Sequence, residues 1–155
     1  MYSLSLVRAS KYDASSLTKL AIDSEHTWGF NQRFMEIFTE KYSLTDSFIE
    51  NNLVFKMMED EVLIGFFGLI KEDFISELEY FYIDASHIGR GYGKQMWQML
   101  CELCLREHIG QFEFVAGPEA VHFYKSCGAI QVDTVESLIL PGRMIPKFVY
   151  QISKK

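Results

Sequence analysis

The residues with the clearest chemical potential stand together in Tyr80 to Leu100, where Gly89, Arg90, Gly91, Tyr92, Gly93 and Lys94 join a strand pattern to a helix pattern. Glycines let a backbone turn tightly and approach a ligand with no side chain between. A helix start adds free N–H groups and the positive end of the helix dipole. Arg90 and Lys94 add charge, Arg90 in the planar fork that suits phosphate oxygens. Together these residue types recognise a phosphate or pyrophosphate. The spacing matches neither the G-x-G-x-x-G of dinucleotide folds nor a P-loop, since Gln95 follows Lys94. Spacing alone also fits an ordinary glycine-rich connection.

Other reactive side chains carry weaker signals. Glu77 and Glu79 lie two apart in a strand pattern, hence on one face, either as proton acceptors or as solvated carboxylates. Cys101 and Cys104 form a lone C-x-x-C inside a helical stretch, with no second ligand pair. They read as packing residues, and no metal is expected. Cys127 has no residue tied to it as an activating base. His26, His87, His108 and His122 show no ligand spacing.

Several elements must position these groups. Tyr2 to Val7 alternates and ends at Arg8, the pattern of an opening strand. Leu17, Leu20 and Ala21 recur at helical spacing over Asp13 to Asp23, with Asp13 as N-cap. Helices are also expected over Phe30 to Glu40 and Thr45 to Asn51. Leu53 to Met58, Val62 to Ile70 and Ile75 to Ile83 read as strands, joined through Glu59 to Glu61 and Lys71 to Asp73. A long helix follows from Gly91 to His108, then a strand from Phe112 to Ala116 and a helix from Pro118 to Ser126, stopped by Gly128. Ala129 to Glu136 and Met144 to Ile152 close the chain as strands. This order implies a mixed, largely antiparallel sheet covered by helices.

At 155 residues the chain suits one domain, 1–155, with no repeat or linker-like segment. With 48% hydrophobic and 15% aromatic residues it can bury a sizeable core, which excludes disordered and fibrous classes. The net charge of −6 argues against a general nucleic-acid binder, which needs a basic footprint. MYSLSLVRASK lacks the apolar stretch of a secretory signal. The longest apolar run, Val62 to Ile70, is far short of the roughly 20 residues that cross a bilayer. No membrane role is expected, and three sparse cysteines suit a reducing cytoplasm.

The segment Ile88-Gly89-Arg90-Gly91-Tyr92-Gly93 resembles motif A of the GNAT superfamily of N-acetyltransferases, a strand followed by Q/R-x-x-G-x-G/A. GPEAVHFYKSCGAI, from Gly117 to Ile130, is similar to motif B, whose helix carries a Phe-Tyr pair and ends in Gly. PGRMIPKFVYQI is similar to the last strand region of a bacterial branch, so the resemblance covers about Leu53 to Ile152. Three positions depart from the pattern: Ile88 in place of Gln or Arg, Ala85 in place of Pro, and Glu119 in place of Asn.

The resemblance implies an α/β fold with a GNAT-type, mostly antiparallel sheet of about seven strands, splayed between the fourth and fifth. It implies acetyl-CoA as donor and a primary amine as acceptor, joined by direct attack in a ternary complex. Phe81, Tyr82 and Ile83 correspond to the strand that pairs with the pantetheine; Ile88, Gly89, Arg90, Gly91, Tyr92, Gly93 and Lys94 to the pyrophosphate turn; Glu119 and Tyr124 to further cofactor contacts. An alkylammonium is only about one part in a few thousand neutral at pH 7, so a base helps. The family register offers Glu77 or Glu79 for this and does not choose between them. Tyr124 matches the general acid that protonates the leaving thiolate. Trp28, Phe30 and His26 are acceptor contacts if they are not core or surface residues. The resemblance also allows a homodimer, and a non-catalytic acyl-CoA sensor on the same fold.

Charge is divided unevenly. Residues 1–84 carry 7 basic and 15 acidic groups, a net −8; residues 85–155 carry 8 and 6, a net +2. In the implied architecture the second part holds the polyanionic donor and the first supplies much of the acceptor side. An acidic acceptor side favours a cationic amine.

Overall fold

The computed structural model describes residues 3–153. The opening strand is β1 (Leu4–Arg8); Tyr2, where the alternation starts, lies outside the described residues. Helix α1 (Ala14–His26) buries Leu17, Leu20, Ala21 and Ser24, a single stripe at helical spacing. Asp13 occupies its N-cap position, yet its carboxylate does not cap the helix. A 3-10 turn over Lys11–Asp13 already holds its backbone near helical angles. The side chain instead accepts the Ser10 N–H at 2.8 Å and the Lys56 ammonium at 3.1 Å.

Two further helices follow, the first starting at Gln32 rather than the expected Phe30 and the second after Thr45 as expected. Asn31 accepts the Phe34 N–H at 2.9 Å to open α2 (Gln32–Tyr42), and Thr45 accepts that of Phe48 at 3.1 Å to open α3 (Asp46–Asn51). A meander of β2 (Leu53–Glu59), β3 (Val62–Ile70) and β4 (Ser76–Ile83) follows. Then come α4 (Tyr92–Arg106) and β5 (Gln111–Val115). The helix expected from Pro118 divides into a 3-10 turn, Pro118–Ala120, and α5 (Val121–Ser126), with Gly128 at φ 97° beyond its end. Strands β6 (Ile130–Glu136) and β7 (Met144–Gln151) complete the sheet.

The seven strands run β1-β2-β3-β4-β5-β7-β6, antiparallel except for the parallel pair β4–β5. The fold is therefore the mixed, mostly antiparallel α/β arrangement expected. Helices α4 and α5 cover one face, around Phe67, Phe112 and Trp97; α1, α2 and α3 cover the other, around Val54, Phe66 and Tyr80. The parallel pair decides the site. It pairs only Ser76 with Phe112 and Glu77 with Glu113, and β4 then runs on to Ile83 without β5 beside it. The sheet opens there into a V. Among the described residues no helix is long and apolar enough to cross a membrane.

Candidate active site

A cleft of about 730 Å³ occupies the V, walled by the far part of β4, by β5, by the N-terminal turns of α4 and α5, and by α1 and α2. One irregularity in β4 shapes its floor. Across β3 the register places Gly68 opposite Tyr80 but Leu69 opposite Leu78, leaving Glu79 as an extra, bulged residue. A bulge breaks the strict alternation of a strand and re-aims a side chain. Leu78 accordingly packs under α4 while Tyr80 packs towards α2. Glu79 turns to meet Glu77, and the two carboxyls hydrogen-bond in the cleft. Burial, followed by that hydrogen bond and the Glu77 charge, pushes the Glu79 carboxyl up to about 7. Two carboxylates in contact share a proton, and Glu79 is the more enclosed, half-buried where Glu77 is exposed.

Tyr124 stands between the diverging strands. Its ring lies 4.6 Å from Phe114 on β5, 6.2 Å from Phe81 on β4 and 5.8 Å from Trp97 on α4. It is buried, borders the cleft, and burial lifts its phenol well above the ordinary tyrosine range. The proton therefore stays on the oxygen at neutral pH, as a donor requires.

The glycine turn opens α4. Gly89 and Gly91 sit at φ 84° and 85°, the left-handed region that side chains resist, and nothing lies within 4 Å of where a side chain would start. That leaves bare backbone facing open space at a helix start, a cradle that fits a pyrophosphate. Gly93 has a different role. A side chain there would begin 3.0 Å from the Phe123 ring, so its absence lets α5 seat on the first turn of α4. Ile88, Gly89, Gly91, Tyr92, Gly93 and Lys94 border the cleft, as do Phe81, Tyr82, Ile83 and Glu119. Arg90 is exposed and stands outside that lining. Lys94 is turned to the Ser126 carbonyl, which accepts from its ammonium at 2.9 Å. Glu119 receives Arg143 at 3.0 Å.

Sequence reasoning missed several residues that line the cleft. Glu25 on α1 reaches into the cleft, and burial, with the Glu119 charge adding and Arg143 opposing, pushes it up to about 7. Phe34, Phe38 and Tyr42 of α2 form an aromatic wall beside it, joined by Tyr82 and by the exposed Trp28. Arg143 lies over the rings of Phe30 and Phe34, at 5.1 and 5.6 Å, and Ile139 from the β6–β7 connection is buried among α1 and α2. Helical spacing marks Phe34 and Phe38 as inward residues, yet no local pattern shows that inward here means a cleft. His26 is exposed and outside the lining.

The model of the Acetyltransferase (GNAT) family matches residues 17–129. The chain belongs to the GNAT acetyltransferase family. The match spans α1 to the end of α5, and so includes the glycine turn, both β4 carboxylates and Tyr124. No curated protein matches the GNAT chain in sequence. Solved structures share its fold at low identity. One is the PaiA N-acetyltransferase of Thermoplasma acidophilum in complex with coenzyme A, at 16% identity and TM-score 0.79, covering 96% of this chain and 99% of that one. Another is the ribosomal-protein-S18-alanine N-acetyltransferase of Escherichia coli, at 11% identity and TM-score 0.73, covering 99% and 96%. A third is the IAA acetyltransferase of Bacillus cereus, at 15% identity and TM-score 0.66, covering 96% and 99%.

Proposed function

We propose that this GNAT chain moves the acetyl group of acetyl-CoA to a primary amine of a cationic acceptor, by direct attack in a ternary complex. The observation that carries the reading is the V between β4 and β5, with a raised carboxyl, Glu79, on one wall and a protonated phenol, Tyr124, between the strands. The solved complex of the Thermoplasma protein with coenzyme A supports the donor. Phe81, Tyr82 and Ile83 offer strand backbone to the pantetheine, and the Gly89–Gly93 turn offers N–H groups to the pyrophosphate. The thioester supplies the activated acetyl group.

The side chains then handle two protons. Glu79 takes one from the acceptor ammonium, and a carboxyl near 7 is suited to hold it near neutral pH. Glu77 keeps Glu79 proton-seeking by its charge. Tyr124 gives a proton to the departing thiolate, for which its raised phenol remains loaded. Glu25 faces the acceptor from the opposite wall. Lys147 and Arg143 pair with Glu113 and Glu119, whereas no ion pair among the described residues engages Glu25, Glu77 or Glu79. These uncompensated carboxylates support a cationic acceptor.

The test is thiol release from acetyl-CoA with a panel of cationic, neutral and anionic amines at two ionic strengths. Turnover is expected with cationic amines, with KM rising with salt. Binding of acetyl-CoA without turnover on any amine marks a sensor instead, and a preference for anionic amines overturns the charge argument.

A further inference from the structure

The pyrophosphate turn leaves few of its cations free for a ligand. Ile88 is apolar, Arg90 stands outside the cleft, and the Lys94 ammonium is engaged with Ser126. Besides Lys94, a second ionisable side chain of that connection borders the cleft: His87, about 20% exposed, immediately before Ile88. Its ring is fixed from behind. Asp84 lies 2.8 Å from Nδ1, and the ring meets Tyr92 edge-on at 5.8 Å. Tyr92 is itself anchored, its hydroxyl 2.9 Å from both carboxylate oxygens of Glu59 on β2.

Asp84 determines which proton the ring carries. Burial works against its charge, but hydrogen bonds from the Ser86 hydroxyl, His87 and the Ser86 N–H together hold it below the usual carboxylate range. An ionised carboxylate only accepts, so Nδ1 must carry the hydrogen. A neutral His87 then has a bare Nε2, which repels a phosphate oxygen. An imidazolium donates from both nitrogens, to Asp84 behind and to an anion in front.

We propose that His87 binds the pyrophosphate of coenzyme A as an imidazolium, taking up a proton from solvent as the ligand enters, in place of the side chain that Ile88 lacks. The inference rests on the donor assigned above. The charged groups around the ring are Asp84 on its own segment, Glu59 through Tyr92, Arg90 and Lys94 on the same turn, and Lys19 of α1, which lies near Asp84. Each of these cations is held or placed apart: Lys19 is paired with Asp23 at 2.6 Å, the Lys94 ammonium donates to the Ser126 carbonyl at 2.9 Å, and Arg90 stands outside the lining.

Calorimetric titration of coenzyme A at pH 7.5, in buffers of different ionisation enthalpy, reads the proton directly. Wild-type protein should take up a substantial fraction of one proton, and H87Q close to none. H87Q should also lose roughly tenfold or more in affinity for coenzyme A, as expected for a charge-assisted hydrogen bond. The same loss should appear with dephospho-coenzyme A, which keeps the pyrophosphate, and vanish with pantetheine, which lacks it. D84N, which leaves the ring in place but removes its anionic anchor, should reduce the proton uptake. Equal losses for H87Q on all three ligands, or unchanged proton uptake, overturn the proposal by reducing His87 to a structural part of the loop. A wild-type protein that binds none of these ligands defeats the donor assignment itself.

Discussion

Arg143 donates from Nη2 to Oε2 of Glu119 across 3.0 Å, and this contact ties the β6–β7 connection to the turn that enters α5. The same guanidinium covers Phe30 and Phe34, so one side chain joins the turn before α5 to the start of α2. Replacing Arg143 by Gln should destabilise the protein by about 1–3 kcal/mol, because Glu119 keeps its partial burial and loses its partner. Thermal unfolding measures this. The double variant R143Q/E119Q should recover part of the loss, and no recovery would mean the pair carries no coupling.

Tyr124→Phe removes one oxygen and keeps the ring among Phe114, Phe81 and Trp97. Turnover at saturating acetyl-CoA should fall at least tenfold, a barrier increase of about 1.4 kcal/mol, with coenzyme A affinity nearly unchanged. An unaltered rate removes Tyr124 from the chemistry.

Glu79 and Glu25 are both pushed up to about 7, but they line the cleft from different elements, β4 and α1. The rate with acceptor should rise with pH through about 7 as Glu79 loses its proton. Glu79→Gln should abolish that limb and lower kcat by about 10²–10⁴. Glu25→Gln should keep the limb and raise the acceptor KM. If E25Q flattens the profile and E79Q does not, the two roles are exchanged.

Glu25 also makes stability depend on pH. Its carboxyl lies near 7 in the folded protein against an ordinary 4.5, so the folded state binds more protons between those values. Its favourable contribution is complete below pH 4.5 and disappears as pH rises to about 7. Glu25→Gln, neutral throughout, should therefore melt above wild type at pH 8, with the gap closing towards pH 4. Thermal midpoints across this range are the measurement; a constant gap would show that Glu25 does not titrate as described.

Much of the fold was legible because its signals are local. The stripe Leu17, Leu20 and Ala21 gives a helix, Thr45 opens the third one, and the β-rich run Val62 to Ile70 appears with the bounds expected. Asp13 misled for a local reason as well: a 3-10 turn ahead of α1 consumed the geometry that a capping side chain needs. Glu77 and Glu79 do share the cleft, as residues two apart in a strand can. The bulge at Glu79, which leaves Leu78 and Tyr80 on opposite faces, was not legible, because it exists only in the register of β4 against β3.

The linear chain by itself determined the family, the glycine turn, and the candidates Glu77, Glu79 and Tyr124, since each depends on residue type at short spacing. It also determined the acidic bias of the first 84 residues. Tertiary structure decided which charges face the cleft. It turned Lys94 to Ser126, left Arg90 outside, fixed His87 against Asp84, and brought Glu25 from α1 opposite β4. The physical reason is that a side chain's partner is set by which surfaces pack together. Arg143 and Glu119 meet although 24 residues separate them, and no periodicity in the sequence encodes that encounter.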